Sequence, residues 1–268
     1  MCVQTGYFLE KDRGKLLGEE DCLSLNVYTP GKFDATEKKP VLVWIHGGGF
    51  TLGSSKDYDP EPLMKSEDIL VVTINYRLGH LGFLTFGNSI VSGNMGLRDQ
   101  IQALRWIQEH IEKFGGDPNK VTIFGESAGA ASVQYLQLSP LAENLFSGVI
   151  AQSGTALLYR KDDEVSKNWR TANMIGEIFN CSRTDLYDLP LLRCLQNVPA
   201  EEFHKVTSVL GQTLDPNNPY YGAASVAPVV DAYIADPVLP LKPMEALLMG
   251  KFNKVPLMTG NIYFKFRK

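Results

Sequence analysis

The sequence predicts an α/β domain: a central, mostly parallel sheet flanked by helices. Three observations carry that prediction. Val41-Leu42-Val43-Trp44-Ile45 and the run from Ile69 to Tyr76 are continuously apolar, as strands covered on both faces would be. Between them Pro60 to Glu67 suits a short helix, which makes a β-α-β unit and so implies parallel pairing. Asn94 to Phe114 then carries Ile101, Leu104, Ile107 and Ile111 at helical spacing, is stopped by Gly115-Gly116, and crosses over into a β-branched run from Val121 to Phe124.

The remaining elements follow in order. Cys2 to Cys22 reads as a polar surface loop with Gly6, Gly14 and Gly18. Leu23 to Tyr28 alternates apolar and polar, as a strand with one wetter face would, and Thr29-Pro30-Gly31 ends it. Gly148 to Gln152 is a further strand, turned by Ser153-Gly154. Lys161 to about Val198 is charged and helix-prone, Pro216 to Pro228 reads as a long loop, and Val255 to Gly260 is a last short strand.

Composition narrows the function classes. The 268 residues can bury a sizeable core. The 26 basic and 30 acidic side chains give a net charge of -4 without blocks, which argues against a nucleic-acid or anionic-membrane partner. No apolar run approaches the length of a membrane span. Met1 to Gly6 has neither a basic nor an apolar stretch, so no signal peptide is read there. Cys2, Cys22, Cys181 and Cys194 fall into two close sequence pairs without the C-x-x-C spacing of zinc or redox sites. Two disulfides closing short loops fit better than free buried thiols, which points to an oxidising compartment. Asn180-Cys181-Ser182 matches an N-glycosylation acceptor, though a bridged Cys181 would hinder it.

The chemistry is concentrated at Gly125-Glu126-Ser127-Ala128-Gly129, the G-x-S-x-G nucleophile elbow between a strand and an Ala-rich helix. The first N–H groups of that helix lack helical partners and favour negative charge beside Ser127. His46-Gly47-Gly48-Gly49-Phe50, after a central strand, supplies further N–H groups; those of Gly48 and Gly49 are expected to converge with that of Ala128 on an oxyanion. Glycine is needed there because a side chain would fill the carbonyl oxygen's space. The proton acceptor is harder to find. In this class of elbow the acid and then the histidine follow the serine, yet the only histidine after Ser127 is His204 and the last carboxylate is Glu245. His204 is a poor candidate, since no acid follows it closely. His46 is expected to support the glycine loop by a hydrogen bond, and His110 to sit solvated or capping near its helix end. This chemistry calls for no cofactor and no metal.

Taken together these residues resemble the type-B carboxylesterase family, the α/β-hydrolases that include cholinesterases and, most similar here, arthropod carboxylesterases. The matching stretches are Glu20 to Tyr28, the loop at 46–50, Asn75-Tyr76-Arg77-Leu78-Gly79, Gly93 to Gln100, Phe114 to Pro118, the elbow and Gln152-Ser153-Gly154. The resemblance implies an α/β-hydrolase fold, Ser127 as acyl nucleophile, Gly48, Gly49 and Ala128 as oxyanion donors, and a small hydrophobic carboxylic ester as substrate. It also implies Cys2–Cys22 and Cys181–Cys194 disulfides, secretion, and a buried Arg77–Asp99 ion pair whose loss would cost about 3–5 kcal/mol.

Family members are considerably longer. The resemblance implies that residues 1–268 form one incomplete α/β-hydrolase domain, lacking edge strands and the C-terminal half, with a divergent tail over 261–268. Lys265 stands in that tail where the triad acid is expected, and the histidine-bearing half is missing. A catalytically incompetent fragment with uncovered apolar faces and poor solubility is therefore expected. The alternatives are a non-catalytic truncated isoform and an adhesion-type relative; the latter typically lose the nucleophile that is intact here. A cholinesterase is disfavoured, because no tryptophan lies between Cys2 and Cys22 to meet a choline cation.

Overall fold

The computed structural model describes residues 1–5, 15–30, 38–158, 165–181, 188–203, 206 and 226–261. Within them the chain runs β1 (Gln4–Thr5), β2 (Leu16–Leu17), β3 (Leu25–Tyr28), β4 (Lys39–Ile45), α1 (Glu61–Ser66), β5 (Leu70–Ile74), α2 (Gly79–Phe83) and α3 (Met95–His110). It continues through β6 (Gly116–Glu126), α4 (Ala128–Leu138), β7 (Gly148–Gln152), α5 (Val165–Ile178), α6 (Asp188–Leu195), α7 (Pro243–Leu248) and β8 (Leu257–Gly260). The main sheet has the order β3-β5-β4-β6-β7-β8. Only β3 is antiparallel; β5, β4, β6, β7 and β8 all run one way. The expected mostly parallel α/β architecture is therefore the observed one.

The apolar runs explain the layering. Val41, Val43, Ile45, Val72, Ile74, Val121, Ile123 and Ala151 point to one face and are fully buried. Ile101, Leu104, Ile107 and Ile111, from α3 and the turn after it, pack into the same core with Ala130, Val133 and Leu136 of α4. The opposite face is less well covered: Leu42, Phe124 and Ile150 are only half-buried there. At the β8 edge the shortfall is larger. Met258 is 65% exposed, and Leu248 at the end of α7 is 81% exposed. Pro256 and Gly260 give their carbonyl oxygens to the N–H groups of Val149 and Ser153, so Leu257 and Thr259 turn their backbone groups to the open edge.

Two segments differ from the sequence reading. The segment from Cys2 to Cys22 is not simply a polar surface loop. β1 and β2 pair within it, Cys2 and Cys22 are buried, and Gln4 is buried with them. β6 begins at Gly116, well before Val121, because Lys39 pairs with Gly116 and draws Asp117 and Pro118 into an extended path. Both disulfides are present, Cys2–Cys22 and Cys181–Cys194, and no described cysteine is free.

The Arg77–Asp99 ion pair is less symmetric than expected. Arg77 donates from Nε and Nη2 to both Asp99 oxygens at 2.7 and 2.6 Å, and Asp99 also accepts from the Arg77 N–H at 3.0 Å. Asp99 is buried, but the Arg77 side chain is 40% exposed. Removing the carboxylate leaves a cation that water can reach, whereas removing the cation strands a buried carboxylate. Asp99→Asn is thus expected to cost about 1–2 kcal/mol and Arg77→Met about 3 kcal/mol in urea unfolding; equal losses would contradict this asymmetry.

Candidate active site

β6 ends at Glu126, and Ser127 takes φ 57, ψ -118 before α4 begins. This left-handed serine makes the turn sharp enough to present its hydroxyl beyond the carboxyl end of β6, where Ser127 is exposed. Two backbone bonds fix it: its N–H donates to Gln152 O at 2.9 Å, and its carbonyl accepts from Ala131 N–H at 3.0 Å. The second bond opens the first helical turn, so the N–H groups of Ala128 to Ala130 have no intrahelical partner, and the helix dipole adds positive character beside the hydroxyl.

Glycines around the elbow are required by close approach. A Cβ on Gly129 would lie 2.1 Å from Ile45 O, and one on Gly154 would lie 2.2 Å from Ser127 O. A Cβ on Gly47 would lie 2.6 Å from Glu126 O and 3.3 Å from the Ser127 Cβ, so the glycine loop sits directly against the elbow. Past Gly47 the loop turns through Gly48 and Gly49 with φ 106 and 62. Gly48 O accepts from the N–H groups of Thr51 and Leu52, and Phe50 anchors the far side, its ring 5.0 Å from that of Phe83. Gly49 is exposed like Ser127.

His46 has the supporting role expected of it. Its Nδ1–H donates to Gly47 O at 2.9 Å, its ring stacks 4.4 Å from that of Tyr76, and Tyr76 Oη donates to its carbonyl oxygen at 2.9 Å. Burial pushes His46 down to about 4 and Tyr76 upward. His80 in α2 is buried and is likewise pushed to about 4. His110, expected to be solvated or capping, is partly exposed with its ring 4.9 Å from that of Trp106. No described histidine hydrogen-bonds the Ser127 hydroxyl. His204, Ser182 and Lys265 lie outside the described residues, as does nearly all of the tail.

Several contributors escaped the sequence reading. Gln152 supplies the acceptor for Ser127 N–H, and Gly154 the space for Ser127 O; the Gln152-Ser153-Gly154 turn was visible, but not its contact. Glu126 lies with one carboxylate oxygen against Gly47, and partial burial raises its carboxyl above the usual range. Asn180 is exposed, in a left-handed conformation just after α5. Among the described residues no three potential ligands cluster as a metal site, and no helix is long and apolar enough to cross a membrane.

With this geometry in place, comparison with known proteins decides the lineage. The profile of the carboxylesterase family matches residues 1–264. The chain belongs to the carboxylesterase family. Carboxylesterase 1E of Mus musculus is 42% identical over 255 residues, covering 93% of this chain and 43% of its own length. A carboxylic ester hydrolase of Bombus ignitus is 39% identical over 261 residues, covering 97% of this chain and 44% of its own. The crystal structure of juvenile hormone esterase from Manduca sexta, with OTFP covalently attached, superposes with a TM-score of 0.80 at 31% identity, over 96% of this chain and 47% of that one. This carboxylesterase-family chain therefore spans less than half the length of these relatives. Its two disulfides, and its insect relatives, are consistent with secretion.

The two buried neutral imidazoles give the fold an acid limit. Below pH 6.5 the unfolded chain takes up protons that His46 and His80 refuse when folded. Their contribution is complete above pH 6.5 and drains as pH falls towards 4, at roughly 1.4 kcal/mol per pH unit for each histidine. Urea midpoints should fall across that window, with a shallower slope in His46→Gln; a flat profile would contradict neutral burial.

Proposed function

We propose that this chain carries the acyl-accepting part of a secreted serine carboxylesterase. Ser127 is its nucleophile, and the N–H groups of Gly48, Gly49 and Ala128 are its oxyanion donors. The supporting observation is the juxtaposition at Gly47: the glycine loop lies against the elbow that lifts Ser127, leaving no room even for a methyl group. Relatives named as carboxylesterases, and a juvenile hormone esterase with a covalently attached compound, agree with that chemistry.

In the step this arrangement serves, Ser127 Oγ bonds to the carbonyl carbon of an ester while its proton passes to a base. The carbonyl oxygen gains the negative charge and meets the backbone N–H groups. Collapse of that intermediate breaks the bond to the alcohol oxygen, which leaves with the proton. Membership of the carboxylesterase family supports a small hydrophobic carboxylic ester as the substrate. The base is the weak point. His46 is committed to Gly47 and held neutral, and no other described histidine bonds the serine. The isolated chain consequently accepts an acyl or phosphonyl group slowly and does not turn over efficiently, retaining only what binding and oxyanion stabilisation supply.

Incubation of the 268-residue chain with a fluorophosphonate should give slow, stoichiometric labelling that Ser127→Ala abolishes, with negligible hydrolysis of a simple aryl ester. Turnover at rates usual for an esterase would refute the incompetence, and labelling that survives Ser127→Ala would refute the nucleophile.

A further inference from the structure

The glycine loop ends at Gly53, and the group that holds Gly53 comes from the start of the chain. Gln4 Nε2 donates to Gly53 O at 2.9 Å, and Gly53 N–H donates to Gln4 Oε1 at 2.8 Å. One side-chain amide thereby satisfies both polar groups of a single residue, much as a neighbouring strand would. Nε2 also donates to Cys2 O at 3.1 Å, which orients the amide from its own side. Gln4 is 7% exposed, and the Cys2–Cys22 disulfide beside it is buried. On the far side, a Cβ on Gly53 would lie 2.5 Å from His46 Nδ1, the atom that donates to Gly47 O. An unbroken series of contacts therefore links the disulfide, Gln4, Gly53, His46 and Gly47.

We propose that Gln4 is a positioning residue for the chemistry at Ser127: its amide clamps Gly53 and holds the Gly47–Gly53 loop against the elbow, while Cys2–Cys22 fixes the backbone that carries the clamp. The proposal rests on reading Gly48 and Gly49 as oxyanion donors. A glycine-rich loop has many accessible conformations, and an oxyanion site is effective only if its donors are already placed. Without the clamp, two buried backbone groups lose their partners and the loop gains freedom. The head group must be a donor and an acceptor at once. A glutamate would accept from Gly53 N–H but repel the carbonyl oxygens of Gly53 and Cys2, whereas a protonated glutamic acid would recover one donor.

Two readouts on the full chain test this: hydrogen exchange of residues 47–53, and affinity for phenylboronic acid. The boronic acid bonds through boron to Ser127 Oγ and releases the hydroxyl proton to water, leaving an anionic tetrahedral adduct. Gln4→Ala is expected to lose exchange protection over 47–53 and to bind the boronic acid about ten- to a hundred-fold more weakly. Gln4→Glu should behave likewise at pH 8 and recover towards the unmutated chain at pH 5.5, each compared with that chain at the same pH. A role that rests on side-chain volume alone predicts no such recovery, so its absence overturns the clamp even if Gln4→Ala fails to fold. Unchanged exchange in Gln4→Ala also overturns it. If the unmutated chain fails to bind the boronic acid, the oxyanion reading falls by itself, and the exchange data still decide whether Gln4 holds the loop.

Discussion

Everything at the candidate site depends on how closely two strand ends approach. β4 and β6 are parallel neighbours, and at their carboxyl ends the Ile45 carbonyl oxygen lies against the elbow, within 2.1 Å of where a Cβ on Gly129 would be and within 2.6 Å of one on Gly125. Only backbone fits between them. That contact fixes where α4 starts, and with it where Ser127 and the first free N–H groups of the helix stand. Because His46 and Gly47 follow Ile45 directly, it also fixes where the glycine loop departs. The proposed nucleophile and the loop proposed as its anion cradle are brought together by one main-chain contact in the sheet, not by side-chain recognition.

The surrounding core makes that contact rigid on one side. The sheet face carrying Val43, Ile45, Val121 and Ile123 is sealed by α3 and α4, the helices that bracket the elbow. The other face and the β8 edge keep apolar side chains at the surface. Exposed apolar area on a strand edge favours association with other chains. The elbow is thus anchored in the best-packed layer, with Ser127 and Gly49 exposed above it.

Much of this was legible in the sequence, because it is written in local pattern. Apolar runs at strand length, the helical spacing of Ile101 to Ile111, and the glycines flanking Ser127 each state their own geometry within a few residues. What was not legible depends on distant partners. The stretch between Gly116 and Val121 reads as a link ahead of the strand and becomes part of it because Lys39 pairs with Gly116. Gln4 reads as a surface polar residue because its partner, Gly53, is 49 positions away. The exposure of Arg77 beside a buried Asp99 depends on what covers the guanidinium, which no spacing rule reports. In the same way Gly154 is a turn residue in sequence and a cradle for the Ser127 carbonyl in space.

The most direct test of the main-chain contact is equilibrium unfolding of Gly129→Ala, a substitution that elsewhere in a helix would be neutral or favourable. The account predicts a loss of more than about 3 kcal/mol, because the added methyl has no space beside the Ile45 carbonyl. Stability within about 0.5 kcal/mol of the unmutated chain would contradict it.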